Sequence, residues 1–165
     1  MEIRIAGTIN DSIVDGPGIR FSIFTQGCSH HCPGCQNPQT WSFDGGELVD
    51  TDDLLAKIAK NPLLKGITLT GGEPFEQAEP LISLCEACRA RGLDVWAYSG
   101  YTFEQLVGGA AGEAAKELLG LCDVLVDGLF VESLQSYDLK WRGSSNQRVI
   151  DVPASLAAGE VVERV

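Results

Sequence analysis

The sequence predicts an α/β fold with a mainly parallel sheet in a single domain, and three observations carry that expectation. Short β-like runs alternate with helical stretches in the order β-α-β-α-β-α-β, which implies right-handed crossovers. The 165 residues leave room for one domain and little more, and no linker, repeat, low-complexity tract or charge block divides residues 1–165. Hydrophobic residues at 44% and charged residues at 21% are ordinary globular values, so a core can form without staples. A doubly wound sheet and a partial (β/α) barrel both fit that order. Either one puts an active site at the carboxyl ends of the strands.

Residues 3–6 read as an opening edge strand. Residues 19–25 alternate Ile19, Phe21 and Ile23 with Arg20 and Ser22, the period of a strand. A helix is predicted over 51–60, capped by Asp50 or Thr51, with Leu54, Leu55 and Ile58 on one face. Residues 66–70 form a second strand ended by Gly71 and Gly72, and a helix over 76–91 stops at Gly92. A third strand, 94–98, runs into Ser99 and Gly100. A helical region over 103–119 is interrupted by Gly108, Gly109 and Gly112. The fourth strand, 123–126, ends at Asp127 and Gly128, and 148–152 reads as a last one. Residues with chemical potential collect at the strand ends: Cys28, then Gly71-Gly72-Glu73, then Ser99-Gly100.

Twelve basic residues against twenty-three acidic ones give a net charge of −11, which argues against binding nucleic acid through its phosphates. Met1 is followed directly by Glu2, Ile3 and Arg4, without the apolar run of an export signal. The longest apolar runs, such as Val124-Leu125-Val126, are far too short to span a bilayer. A cytoplasmic address without a membrane partner is therefore expected. In such a reducing compartment, the six cysteines read as metal ligands, redox groups or packing residues before disulfides.

The sharpest signal is Gly27-Cys28-Ser29-His30-His31-Cys32-Pro33-Gly34-Cys35. It spaces three thiols as C-x3-C-x2-C in a loop whose glycine and proline let it curl, so that the thiols converge on one small object. A structural zinc usually takes four protein ligands. No matching pair follows at finger-like spacing, so zinc would need His30 or His31 to complete its shell. A four-iron cluster on three cysteines would leave one iron open to a non-protein ligand.

These residues also carry a resemblance. The C-x3-C-x2-C loop after the first crossover strand resembles the signature of the radical S-adenosylmethionine (SAM) enzymes. The preceding Val14-Asp15-Gly16-Pro17-Gly18-Ile19-Arg20 is similar to the leading segment of the glycyl-radical-enzyme activases. Cys32-Pro33-Gly34-Cys35-Gln36-Asn37-Pro38-Gln39-Thr40-Trp41 and Trp141-Arg142-Gly143-Ser144-Ser145-Asn146-Gln147 resemble the branch that activates anaerobic ribonucleotide reductase. With Leu69-Thr70-Gly71-Gly72-Glu73-Pro74, the likeness covers nearly the whole chain. The broad superfamily often has an aromatic residue before the third cysteine; Gly34 departs from that and agrees with the narrower branch.

The resemblance implies a truncated partial (β/α) barrel of the radical SAM type. It implies a [4Fe-4S] cluster on Cys28, Cys32 and Cys35, and SAM contacted by the backbone at Gly34, Cys35, Gln36 and Gly72. It further implies reductive cleavage of SAM to a 5′-deoxyadenosyl radical that takes hydrogen from a glycine of anaerobic ribonucleotide reductase. The electron would come from reduced flavodoxin or a similar donor. No catalytic residue beyond the cluster and SAM ligands is expected. The alternatives are a radical SAM enzyme acting on a small molecule and a non-catalytic, zinc-stabilised interaction module. Cys85 and Cys88 share a helix face and read as core, with a redox pair or accessory metal site as the alternative. Cys122 reads as core. Residues 141–147 read equally as a connecting turn or a partner-contacting surface.

Overall fold

The computed structural model describes residues 1–164. In chain order its main elements are strands β1 (Glu2–Ser12), β2 (Arg20–Thr25) and β3 (Glu47–Asp50), helix α1 (Thr51–Ala59), strand β4 (Gly66–Gly71), helix α2 (Ala78–Ala90) and strand β5 (Asp94–Tyr98). Helices α3 (Phe103–Val107) and α4 (Glu113–Leu121), strands β6 (Val124–Asp127) and β7 (Arg148–Asp151), and helix α5 (Val152–Ala158) complete it. The strands form one seven-stranded sheet in the order β3-β1-β2-β4-β5-β6-β7. Its centre, β2-β4-β5-β6, is parallel, as the alternating sequence predicts. Antiparallel β1, β3 and β7 extend that centre to both sides, and the sheet stays open between edges β3 and β7.

The pleat sorts the central strands onto two faces. Ile23, Ile67, Leu69, Val95, Ala97 and Leu125 join the helices in the main core, with Leu54 and Ile58 from α1, Leu81 and Leu84 from α2, and Leu118 from α4. Each such fully buried side chain contributes about 1.5–3 kcal/mol. The intervening residues Trp96, Val124 and Val126 face the other way and form a smaller cluster with Tyr98, Trp141 and Val149. Among the described residues, none of that second cluster belongs to a helix. The leading segment covers part of this face: Asp15 accepts from Ser12 and Ser22, and its carbonyl accepts from Thr68. Beside it the wholly buried Arg20 guanidinium reaches Thr68 (2.8 Å) and Asp94 (2.5 Å) and lies over the Trp96 ring.

Several elements differ from the sequence expectation, each for a local reason. The region over 103–119 divides into α3 and α4, because Gly109 and Gly112 take φ of +86° and +97°, values a helix does not accommodate. A capping box between Thr102 and Gln105 starts α3. Strand β1 runs on to Ser12, well past residue 6, and bulges at two places along β2. Strand β3 and helix α5 are additional. The first is only four residues long and does not alternate, and the second begins at Val152, capped by Asp151, whose side chain accepts from Ala154 N–H. Among the described residues no helix is long and apolar enough to cross a membrane.

Candidate functional site

Parallel pairing brings the carboxyl ends of β2, β4, β5 and β6 to one edge of the sheet, and the segments that leave them meet there. The cysteine loop leaves β2 through Gln26 and Gly27. It is closed by backbone bonds from Gly27 N–H to the Thr40 carbonyl (2.6 Å) and from Cys28 N–H to the Trp41 carbonyl (3.1 Å). The Gln26 amide adds bonds to the Gln39 and Ser42 carbonyls. Within the loop, Cys35 N–H bonds the Cys32 carbonyl at 3.1 Å, a tight turn between the last two cysteines.

The three thiols differ in access and share one kind of neighbour. Cys28 is buried, whereas Cys32 and Cys35 are half-buried, and all three are free. Burial pushes the Cys28 and Cys32 thiols up, and backbone N–H groups pull the other way: those of His30 and His31 at Cys28, and that of Phe130 at Cys32. Asn37 N–H lies 3.4 Å from the Cys35 sulfur. Amide donors aimed at sulfur favour the thiolate, the form that binds metal. Among the described residues no three His, Cys, Asp or Glu side chains are gathered tightly enough to hold a metal ion between them.

The loop is fastened to the next two strand ends by one buried carboxylate. Glu73, with no exposed surface, follows Gly71 and Gly72 at the end of β4. Its Oε1 receives His30 Nε2 (2.7 Å) and Gly100 N–H (2.8 Å), its Oε2 receives Phe75 N–H (3.1 Å), and the Ser99 hydroxyl lies 2.9 Å from both oxygens. This bond to Glu73 raises the His30 pKa. Two glycines make the approach possible. A Cβ at Gly72 would run into the Gly27 carbonyl, which receives Glu73 N–H at 2.8 Å, and one at Gly100 would strike the His30 ring. His31 stacks on Trp41 with ring centroids 4.7 Å apart. Both histidines are thus engaged with neighbours other than the thiols.

A cleft of about 670 Å³ opens beside His30, Gly100 and Tyr101, with Asp127, Asn146 and Arg148 on its far side. Its charged groups satisfy one another: Arg148 reaches Asp127 at 2.5 Å and Glu104 at 2.8 Å. A smaller, apolar hollow of about 360 Å³ adjoins Cys32 and Pro33, walled by Leu129, Phe130 and Val131.

The expected site residues divide accordingly. Cys28, Cys32 and Cys35 lie on one loop, and Gly72 packs against its first residues. Gly34 and Gln36 are exposed on the rim of the same loop, and Gly34 packs on the Glu132 side chain. Cys85, Cys88 and Cys122 belong to the main core. Residues 141–147 turn their polar groups inward, onto residues 128–136. Sequence reading marked Glu73 at a strand end and weighed His30 as a zinc ligand, but missed the bond that joins the two. The available signal was an acidic residue directly after a Gly-Gly turn, one strand away from a Ser-Gly turn.

With this geometry in hand, the comparisons are specific. The chain matches the family of 4Fe-4S single cluster domains over residues 14–150. It is 37% identical over 145 residues to the anaerobic ribonucleoside-triphosphate reductase-activating protein of Escherichia coli strain K12, covering 83% of this chain and 91% of that protein. The protein of the same name from Enterobacteria phage T4 is 37% identical over 142 residues, covering 82% and 86%. That of Vibrio cholerae is 34% identical over 143 residues, covering 82% and 89%. The crystal structure of QueE from Escherichia coli shares the fold, with a TM-score of 0.51 at 17% identity, over 77% of this chain and 70% of that one.

Proposed function

The chain belongs to the family of anaerobic ribonucleoside-triphosphate reductase-activating proteins, and from that premise we propose that it is a radical SAM activase whose Cys28, Cys32 and Cys35 hold a [4Fe-4S] cluster. The observation that carries this reading is the loop itself: three free thiols on one turn-rich segment at the strand ends, with Asn37 N–H on the Cys35 sulfur and the His30 ring bonded to Glu73. A cluster of several irons offers separate binding points, so its thiolates need not crowd one centre as around zinc, with its bonds of about 2.3 Å to sulfur. When bound, the cluster supplies one electron for cleavage of SAM to methionine and a 5′-deoxyadenosyl radical, which takes a hydrogen atom from a glycine of anaerobic ribonucleotide reductase.

The chain's own residues bind, orient and enclose. Backbone groups at Gly34, Cys35, Gln36 and Gly72 are the proposed SAM contacts, at the junction of the cysteine loop and the end of β4. Glu73 holds that junction rigid through His30, Ser99 and Gly100. The cleft beside His30 is within the size range of small-ligand sites. Its charged groups already pair with one another, which favours a macromolecular substrate over a small charged one. The half-exposed Cys32 and Cys35 lie close enough to the surface for an outside carrier, such as reduced flavodoxin, to deliver the electron. We further infer one radical SAM domain over residues 1–165, working in the cytoplasm.

The test is anaerobic incubation of reconstituted, reduced protein with SAM and an anaerobic ribonucleotide reductase. Formation of 5′-deoxyadenosine together with a glycyl doublet in electron paramagnetic resonance is the expected result. SAM cleavage that rises with a small metabolite, with no glycyl radical on the reductase, would overturn the choice of target. Stoichiometric zinc in place of iron, in protein prepared without oxygen, would overturn the reading altogether.

A further inference from the structure

The cysteine loop is gripped from outside by one short element. A one-turn 3-10 helix, Pro74–Gln77, follows Gly72 and Glu73 at the end of β4. It is a firm base, since the Pro74 ring fixes its first turn and Phe75 is buried in the main core. Its two polar side chains reach the chain on either side of Cys28. Ahead of the cysteine, the Gln77 amide donates to the Gln26 carbonyl (3.0 Å). That amide also donates to the Arg4 carbonyl (2.7 Å), and its oxygen accepts Arg4 N–H (2.9 Å), so β1 holds Gln77 in place. Behind the cysteine, Glu76 Oε1 accepts from the Ser29 hydroxyl and from Ser29 N–H (3.3 Å). Glu73 is engaged with His30, Ser99 and Gly100, and leaves Ser29 and Gln26 to these two. The neck of the loop is closed by its backbone bonds at Gly27 and Cys28, so a grip on residues 26–30 places the loop against the end of β4.

We propose that Glu76 and Gln77 are positioning residues for SAM, which together set the spacing between the cysteine loop and the end of β4. The inference rests on the SAM contacts proposed above, which lie on both sides of that spacing: Gly34, Cys35 and Gln36 on the loop, and Gly72 on the strand end. Neither side chain has to touch SAM. A loop free to drift must be ordered as the ligand binds, and that ordering is subtracted from the affinity. The grip orders the loop during folding, before SAM arrives.

The experiment is anaerobic titration calorimetry of SAM into reconstituted protein kept oxidised, so that SAM binds without being cleaved. Wild type is compared with Glu76→Ala, Glu76→Gln and Gln77→Glu, each at measured iron content. Glu76→Gln keeps the oxygen that accepts from Ser29, whereas Gln77→Glu keeps the acceptor for Arg4 N–H and deletes the donor to Gln26. The expected result is unchanged iron, with the Kd for SAM raised about tenfold in Glu76→Ala and Gln77→Glu and near wild type in Glu76→Gln. Equal affinity in all four proteins would overturn the proposal. Loss of iron from Glu76→Ala or Gln77→Glu would also overturn it, because the element would then support assembly of the cluster and not placement of SAM. So would a Glu76→Gln protein as weak as Glu76→Ala, since the charge and not the bond to Ser29 would then matter. Iron-loaded wild type that binds no SAM would instead bring down the SAM contacts proposed above, and this inference with them.

Discussion

Cys28, Cys32 and Cys35 lie on a loop at the sheet edge, where Asn37 N–H meets the Cys35 sulfur; Cys85, Cys88 and Cys122 lie among Leu81, Leu84 and Leu118 in the main core. The core trio carries almost no exposed surface. Burial pushes the Cys88 thiol up to about 11 and that of Cys122 to about 12, and it raises Cys85 well above its ordinary value. The Cys122 sulfhydryl donates to the Leu118 carbonyl at 3.4 Å, a bond only the protonated form can make. At neutral pH these three are thiols and act as small apolar side chains. Cys28 is nearly as buried, yet two amide donors oppose the effect of its burial. The difference teaches that spacing alone does not make a ligand. Cys85 and Cys88 have the C-x2-C spacing of Cys32 and Cys35, but a helix gives them no free amides.

Four measurements break or sharpen this contrast. The largest effect belongs to the loop: Cys28→Ala, Cys32→Ala or Cys35→Ala is expected to abolish cluster absorbance and SAM cleavage, whereas the core variants keep wild-type iron. Iron bound by Cys35→Ala at the wild-type level would erase the distinction. Next comes the carboxylate that fastens the loop. Glu73→Ala strands the buried donors of His30, Ser99, Gly100 and Phe75, and a loss of about 3–5 kcal/mol is expected in urea unfolding.

Smaller still are Cys85→Ala, Cys88→Ala and Cys122→Ala, each expected to cost about 1–2 kcal/mol with no change in iron. Loss of iron from either of the first two would promote that pair to an accessory site. The smallest effect is a pH dependence. Because Glu73 raises the His30 pKa above 6.5, the pair's contribution is complete below that value and fades as pH rises through the raised one. The unfolding penalty of His30→Gln should therefore be larger at pH 6 than at pH 9. Equal penalties at both would mean that His30 holds Glu73 as a neutral donor.

Much of this contrast was legible before any coordinates. Alternation at 19–25 and short β-like runs at 66–70, 94–98 and 123–126 located the four parallel strands, and turn glycines marked the ends of the last three. The thiol spacing set apart the three cysteines of the loop, and the helical spacing of Leu81, Leu84, Cys85 and Cys88 marked that pair as core. What stayed hidden depends on contacts between distant segments. Nothing in residues 47–50 announces a strand, because its pairing is supplied by β1. Glu73 looks like an ordinary acidic residue until His30 and Ser99 arrive beside it. The polar run at 141–147 suggested a surface as readily as a turn, since only the fold shows that its amides face residues 128–136.

The route of the chain through the site also fixes when the site can exist. The cysteine loop leaves the ribosome early, in a chain made amino terminus first. Its fastening to Glu73 must wait for β4, and its support at Gly100 for β5. The carbonyls of Gly128 and Leu129, beyond β6, stay unheld until Asn146 and Gln147 have followed. Until those segments arrive, the three thiols of the loop lack the frame that orders them. The order of synthesis thus makes the thiols before the contacts that frame them, and the frame closes from β4 onward as each later segment is added.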